Sequence, residues 1–161
     1  MKIRVQLLLI LAFALYCQTT NAQDIKTYNF SELEPIFQQQ NDTTYVINFW
    51  AMWCKPCVEE LPEFEDIRKD YANKKVKVIL VSLDFGSKLE ERMAKFLERK
   101  NIHAEVRILD DPDANSWISK VDEKWDGALP ATVIYNKDNK TVFTRQVSYD
   151  ELAKSIDKLS K

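Results

Sequence analysis

Histidine and cysteine are scarce in this chain, which has one histidine, His103, and three cysteines among 161 residues. Structural zinc sites are usually built from four Cys and His ligands. Cys54 and Cys57 have the spacing of half such a site, but too few ligands remain to complete it if Cys17 is removed with a targeting segment. This scarcity argues against a zinc knuckle. It leaves a short disulfide staple or a redox-active dithiol as the use of Cys54 and Cys57.

The chain also lacks a hydrophobic run long enough to cross a membrane. The apolar stretch from Val5 to Tyr16 covers 12 positions, whereas a spanning helix needs about 18 or more. Two basic residues precede this stretch and the small-residue signature Thr20-Asn21-Ala22 follows it, as in a secretory signal peptide. We predict a cleaved signal peptide at 1–22 and an exported domain at 23–161. Membrane attachment, through an uncleaved leader or a lipid on Cys17, is the alternative.

No excess of basic residues remains once that leader is removed. Lys2 and Arg4 leave with it and no acidic residue does, so 21 basic and 25 acidic residues remain, a net charge of −4. Such a balance gives no reason to expect nucleic-acid binding. The length suits one domain, and the sequence contains no repeat, linker or low-complexity run. We predict a monomeric single-domain protein that does not bind nucleic acid.

Cys54 and Cys57 lie at the start of a predicted helix that follows an apolar strand. Tyr45 to Trp50 has the pattern of a buried strand, and the run from Pro56 to Tyr71 has apolar residues at helical spacing. Unpaired N–H groups and the helix dipole favour a thiolate at a helix N-terminus. Because the thiolate is the attacking species in disulfide exchange, we predict that Cys54 attacks and that Cys57, one turn further on, resolves the mixed disulfide.

The rest of the chain alternates between strand and helix patterns. A capping box of Ser31 and Glu34 predicts a short helix up to about Gln39. Further strands are predicted at Lys75 to Leu83, Glu105 to Leu109, Ala131 to Tyr135 and Thr141 to Gln146, and further helices at Lys88 to Arg99, Ala114 to Lys120 and Tyr149 to Leu159. The alternation favours parallel βαβ pairing, and the polar turn at 136–140 favours a terminal hairpin. We predict an α/β domain with a central mixed sheet flanked by helices.

Two motifs carry a family resemblance. The segment Asn48-Phe49-Trp50-Ala51-Met52-Trp53-Cys54-Lys55-Pro56-Cys57, with Leu129-Pro130-Ala131-Thr132 before a hairpin and a final helix, resembles the thioredoxin superfamily. The resemblance covers essentially all of the mature chain. The continuation Val58-Glu59-Glu60-Leu61-Pro62 and an extra strand and helix between residues 101 and 122 are most similar to the exported TlpA/ResA-like branch. It implies a thioredoxin-like fold with a strand-helix insertion before the cis-proline loop, and disulfide exchange without a cofactor or metal.

The resemblance also assigns residues around the cysteines. From the residues alone, Pro130 would be an ordinary trans proline that ends a loop, whereas the resemblance implies a cis proline facing the two sulfurs. Leu129 then offers its backbone to an extended substrate segment. Trp53, next to Cys54, is predicted to form a flat lid over the substrate surface. Lys55 and Pro56 are predicted to support the site, Lys55 by adding positive charge beside the thiolate.

Glu60 is the predicted proton acceptor. Thioredoxins proper carry a buried aspartate where this chain has Asn48, and a neutral amide cannot take a proton from Cys57. In the TlpA/ResA-like branch an acid three residues after the second cysteine serves this site, which implies Glu60 here. Helical spacing places Glu60 on the side of Cys57, and partial burial against Trp50 would raise its pKa toward neutrality. The alternative is an exposed helix acid.

We therefore predict an exported thiol-disulfide oxidoreductase of the bacterial periplasm. Reduction is the favoured direction, because Lys55-Pro56 lacks the histidine that oxidants and isomerases commonly place between their cysteines. The resemblance implies disulfide-containing protein substrates, with apocytochrome c as a candidate, and a membrane thiol-electron donor. The alternatives are a thiol oxidase or isomerase, a non-catalytic thioredoxin-fold binding module, and a peroxiredoxin-type peroxidase. That peroxidase would need a proline and a threonine that Asn48 to Trp53 lacks.

Overall fold

The structure, a computed structural model, describes residues 25–159. The predicted signal peptide, its cleavage site and Cys17 lie outside the described residues. Within 25–159, no helix combines the length and the apolar character that crossing a membrane requires.

Six strands and five α-helices make up the described chain. The strands are β1 (Lys26–Tyr28), β2 (Thr44–Trp50), β3 (Val76–Ser82), β4 (Glu105–Leu109), β5 (Ala131–Tyr135) and β6 (Lys140–Phe143). The helices are α1 (Phe30–Leu33), α2 (Lys55–Asp70), α3 (Leu89–Lys100), α4 (Ala114–Val121) and α5 (Tyr149–Leu159), and a 3₁₀ turn at Glu34–Phe37 follows α1.

All six strands form one mixed sheet in the order β1-β4-β3-β2-β5-β6. The first four are parallel to one another, β5 runs antiparallel to β2, and β6 runs antiparallel to β5. The carboxyl ends of β2 and β3 therefore lie at the same edge of the sheet as the start of β5. This edge carries the cysteines, and the mixed sheet agrees with the predicted fold class.

The sheet separates two apolar layers. Alternate β2 residues point to opposite faces, so Val46 and Trp50 pack with α2, α3 and α5, while Ile47 and Phe49 pack with α1 and α4. Phe49 lies 4.6 Å from Trp125, centroid to centroid, within an aromatic group on the second face. Asn48 shares the face of Val46 and Trp50, so its polar side chain lies beneath α2.

The amino-terminal part differs from the predicted one. The N-cap of the first helix is Asn29 rather than Ser31, and the reciprocal partner is Glu32: Asn29 Oδ1 accepts from Glu32 N at 3.1 Å and Glu32 Oε2 accepts from Asn29 N at 2.9 Å. The predicted capping box was therefore displaced by two residues. The α-helix ends at Leu33 and the chain continues as a 3₁₀ turn, because Pro35 has no N–H to continue the helical bonding.

Other boundaries follow the sequence pattern closely. The bounds of β4, β5 and α5 are the predicted ones. In contrast, β6 ends at Phe143, three residues before the predicted end, and the edge strand β1 was not predicted at all.

Candidate active site

The two cysteines lie at the first turn of α2 and are joined by a disulfide, with their Cα atoms 5.3 Å apart. Cys54 is the N-cap residue in an extended conformation, and its carbonyl accepts from Val58 N at 3.1 Å. Pro56 occupies the first turn, where the N–H it lacks would have no helical partner. Cys54 is 7% exposed and Cys57 is fully buried. Cys54 is therefore the more accessible of the two residues, and the attacking and resolving roles stay predictions.

A tight turn presents Cys54. Its backbone N–H donates to the carbonyl of Ala51 at 3.1 Å. In the same turn, the N–H of Met52 donates to Oδ2 of the buried Asp84 at 2.8 Å. Trp50 O accepts from Leu83 N at 2.8 Å, so the turn is fixed to the segment after β3 by two bonds. Asp84 was not predicted as a site residue, although an acid directly after a predicted buried strand was the available signal.

Pro130 follows Leu129 through a cis peptide bond, as the resemblance implied. Ala131, the next residue, pairs with Phe49 in the register of β5 against β2. Pro130 therefore lies beside the end of β2, at the edge of the sheet that carries Cys54. Leu129 is partly buried, and its side chain packs against both apolar layers. The contact of its backbone with a substrate stays a prediction.

Glu60 is buried behind the disulfide, with 1% of its surface exposed. Its Oε1 accepts from Asn48 Nδ2 and its Oε2 accepts from the backbone N–H of Val147, both at 2.9 Å. Burial raises the pKa of Glu60 to about 7, while the two donors and the nearby Glu63 have smaller effects. The interpretation as an exposed helix acid is therefore wrong, and the predicted rise in pKa is confirmed. Its role as a proton acceptor stays a prediction.

Two large apolar side chains are mostly exposed in the described part of the chain, Trp53 at 64% and Phe85 at 70%. Trp53 precedes Cys54 and Phe85 follows Asp84, so the Met52–Asp84 hydrogen bond holds their two loops together. The exposure of Trp53 was predicted, whereas that of Phe85 was not.

Lys55 also faces solvent, with its Nζ 3.7 Å from a carboxylate oxygen of Glu59. That ion pair offsets part of the positive charge predicted to act beside Cys54.

The AhpC/TSA family model matches residues 14–143. The chain belongs to this family. It is 28% identical over 102 residues to Thioredoxin-like protein YneN of Bacillus subtilis, covering 56% of this chain and 59% of YneN. It is 32% identical over 95 residues to Thiol-disulfide oxidoreductase ResA of Oceanobacillus iheyensis, covering 48% of this chain and 50% of ResA. These relatives agree with the thioredoxin-like resemblance drawn from the motifs, and the family member described here spans about half to three-fifths of their length.

A solved structure gives the fold independently. That of a secreted thiol-disulfide isomerase from Corynebacterium glutamicum matches with a TM-score of 0.62 at 17% identity, over 83% of this chain and 75% of that chain. At this identity the likeness shows a common fold. It confirms the predicted thioredoxin-like architecture of this AhpC/TSA family member.

Proposed function

We propose that this protein is an exported thiol-disulfide oxidoreductase that reduces disulfide bonds in other proteins. The observation that carries the proposal is the Cys54–Cys57 disulfide at a helix start, with cis-Pro130 beside it and buried Glu60 behind it. The relatives named YneN and ResA support the chemistry. A disulfide staple alone would explain neither the buried acid nor the more accessible outer sulfur.

The reaction begins from the reduced protein. The Cys54 thiolate attacks one sulfur of a substrate disulfide, that S–S bond breaks, and the other substrate sulfur leaves as a thiolate. A mixed disulfide now joins Cys54 to the substrate. Cys57 then loses its proton and attacks Cys54 Sγ, which releases the second substrate thiolate and forms the Cys54–Cys57 disulfide. The substrate gains two electrons and the protein loses two, so a dithiol donor must restore the reduced form.

Glu60 acts in the second half of this sequence. A resolving cysteine sealed from solvent needs a nearby base, and the carboxylate lies one helical turn beyond Cys57 on the same face. Since its pKa is about 7, roughly half of the Glu60 carboxyls are ionised at neutral pH. A carboxylate whose pKa is raised toward neutrality is a stronger base toward the Cys57 thiol than an ordinary glutamate, and it still releases the proton to solvent near pH 7.

Substrate contact is assigned to the surface around Cys54. Trp53 and Phe85 supply exposed apolar side chains, and the backbone before Pro130 supplies hydrogen-bonding groups for an extended segment. The substrates are disulfide-containing proteins, with apocytochrome c as a candidate.

The direction is supported by the lack of histidine between the cysteines. The bacterial periplasm as location is supported by the leader pattern and by the secreted neighbour from Corynebacterium glutamicum. A membrane dithiol carrier would supply electrons.

The proposal can be tested by measuring whether the pre-reduced protein reduces the disulfides of insulin. Wild type should reduce insulin, Cys54→Ala should not, and Cys57→Ala should accumulate a mixed disulfide through Cys54. Equal behaviour of wild type and Cys54→Ala would instead indicate a binding module. Redox titration tests the direction: a potential of about −250 mV or lower fits a reductase, and one of about −120 mV would indicate an oxidant.

A further inference from the structure

We propose that Asp84 is a positioning residue that holds the turn presenting Cys54 and that its negative charge keeps the Cys54–Cys57 couple reducing. This inference rests on the proposed function and deepens it, because it assigns the direction of exchange to a named side chain outside the Cys-x-x-Cys motif.

Asp84 is a buried acid that forms hydrogen bonds to the turn of Cys54 and to Ser82. It is 2% exposed and lies two residues after the end of β3. Its Oδ2 accepts from Met52 N and from Ser82 Oγ, each at 2.8 Å, and Ser82 Oγ accepts from Asp84 N at 3.0 Å. No ion pair to Asp84 occurs within residues 25–159. Two donors aimed at one oxygen suit a carboxylate, which is an acceptor only.

The bond to Met52 brings this charge close to Cys54. Met52 is the second residue of the turn that the Cys54 N–H closes onto Ala51 O. Cys54 is two residues after Met52 in a tight turn, and the Asp84 carboxylate lies 2.8 Å from Met52 N. The carboxylate is therefore within about 10 Å of the Cys54 backbone. In a buried setting a unit charge at this distance interacts more strongly than it would across water. The Asp84 charge therefore opposes a thiolate on Cys54.

Other charged groups belong to the helix of the cysteines and to the cis-proline loop. Lys55 on the same helix carries a positive charge that Glu59 partly offsets. Glu60 lies behind Cys57, and Asp126 lies in the cis-proline loop with its Oδ1 on Ala128 N. Among these acids Asp84 alone hydrogen-bonds to the turn that carries Cys54.

The charge has a direct consequence for redox equilibrium. A strongly oxidising dithiol is one whose reduced form is stabilised, as happens when the attacking cysteine ionises readily. A fixed negative charge has the opposite effect, because it destabilises the thiolate of the reduced form and leaves the disulfide favoured. Asp84 thus counteracts the helix dipole at Cys54 and biases the pair toward donating electrons.

Asp84→Asn tests this inference, because it removes the charge and keeps an oxygen for the Met52 N–H. In the reduced protein, the pH dependence of Cys54 alkylation should show a thiol pKa lower by half a unit or more. The equilibrium with a glutathione or dithiothreitol buffer should move at least threefold toward the dithiol, which corresponds to about 14 mV. The matched control is Asp126→Asn, an exposed acid of the same edge, which should change neither quantity.

Ser82→Ala provides a second variant with the opposite sign. It removes one donor from Asp84 and leaves the charge less compensated, so the Cys54 pKa should rise and the equilibrium should move toward the disulfide. Unchanged values in folded Asp84→Asn, or shifts of the same sign in both variants, contradict the inference. If Asp84→Asn does not fold by circular dichroism, the sign of the Ser82→Ala shift decides. Neither readout uses a protein substrate. If the Cys54–Cys57 couple shifts as inferred but the wild-type protein does not reduce insulin, the result contradicts the proposed function and not this inference.

Discussion

The side-chain amide of Asn48 donates to Oε1 of Glu60 across 2.9 Å inside the protein. The same Nδ2 reaches Thr132 Oγ1 at 3.0 Å, while Asn48 Oδ1 is buried without a partner in the described structure. The amide is therefore oriented to satisfy the carboxylate at the expense of its own oxygen. A neutral donor at this position lets Glu60 ionise near neutral pH despite burial, whereas an acid would compete with it for the proton.

Asn48→Asp should move the protonation of this site to higher pH. Two carboxyl groups at hydrogen-bond distance cannot both ionise easily, so the pair retains a proton that Glu60 alone would lose. We expect the pH midpoint for resolution by Cys57 to rise by about one unit or more, as measured by the decay of a mixed disulfide in rapid mixing. Thr132→Val is the control, because it removes a neighbour of Asn48 that does not bond to Glu60. If Asn48→Asp leaves the pH midpoint for resolution unchanged, Glu60 is not the group that titrates in this step.

Glu60→Gln should slow resolution of the mixed disulfide. A positioned general base contributes about 10²–10⁴-fold to a proton transfer, so we expect a loss of about 100-fold at pH 7 and no rate midpoint near the pKa of about 7. Attack by Cys54 on a small disulfide should change little, since that step does not use Glu60. Glu59→Gln, one residue earlier and exposed, is the matched control. A wild-type exchange rate that stays constant from pH 6 to pH 8 removes Glu60 from the mechanism.

Burial of Glu60 should also make the oxidised protein less stable as pH rises. The pKa of Glu60 is about 7 in the folded protein against 4.5 as the ordinary value, so the folded state binds the proton more tightly. The free energy of unfolding should therefore fall between about pH 4.5 and pH 7, by about 3 kcal/mol in all. In the oxidised protein Cys54 and Cys57 do not titrate, which isolates the effect. Denaturant unfolding across this range should show a smaller decrease in Glu60→Gln than in Glu59→Gln, and equal slopes would contradict the assignment.

The sequence predicted the fold best where hydrophobic periodicity is strong. The predicted bounds of α5 match buried positions at spacings of three and four, those of β4 match an alternating pattern, and those of β5 match a short continuous apolar run that is buried at every position. Strand β1 has three residues with largely exposed side chains, so its sequence carries no such period, and it forms by pairing with distant β4. At α1, Asn29 rather than the predicted Ser31 is the N-cap, and Phe30, the first helical residue, is buried.

The site was predictable only in part, because several of its contacts join residues that are distant in the sequence. Local spacing places Cys57 and Glu60 on one helical face, but the donors to Glu60 come from β2 and from Val147 before α5. The cis geometry of Pro130 followed from the family resemblance, because sequence alone favours trans. Asp84 meets Met52 from 32 residues away. That contact depends on the β2–β3 register, which a single sequence does not contain.

Removing the exposed aromatic side chains should weaken recognition of protein substrates and spare the chemistry. Trp53 precedes Cys54 and is 64% exposed, and Phe85, 70% exposed, follows Asp84, which bonds to the same turn. Aromatic side chains at the centre of an interface commonly contribute more than 1 kcal/mol to binding. We expect Trp53→Ala and Phe85→Ser each to raise KM for insulin reduction about tenfold, equivalent to about 1.4 kcal/mol. Reduction of a small aromatic disulfide reagent should stay within about twofold, because that reagent needs little surface beyond Cys54. An equal loss with both substrates would instead indicate that the turn holding Cys54 had moved, and no loss with insulin would exclude this surface from recognition.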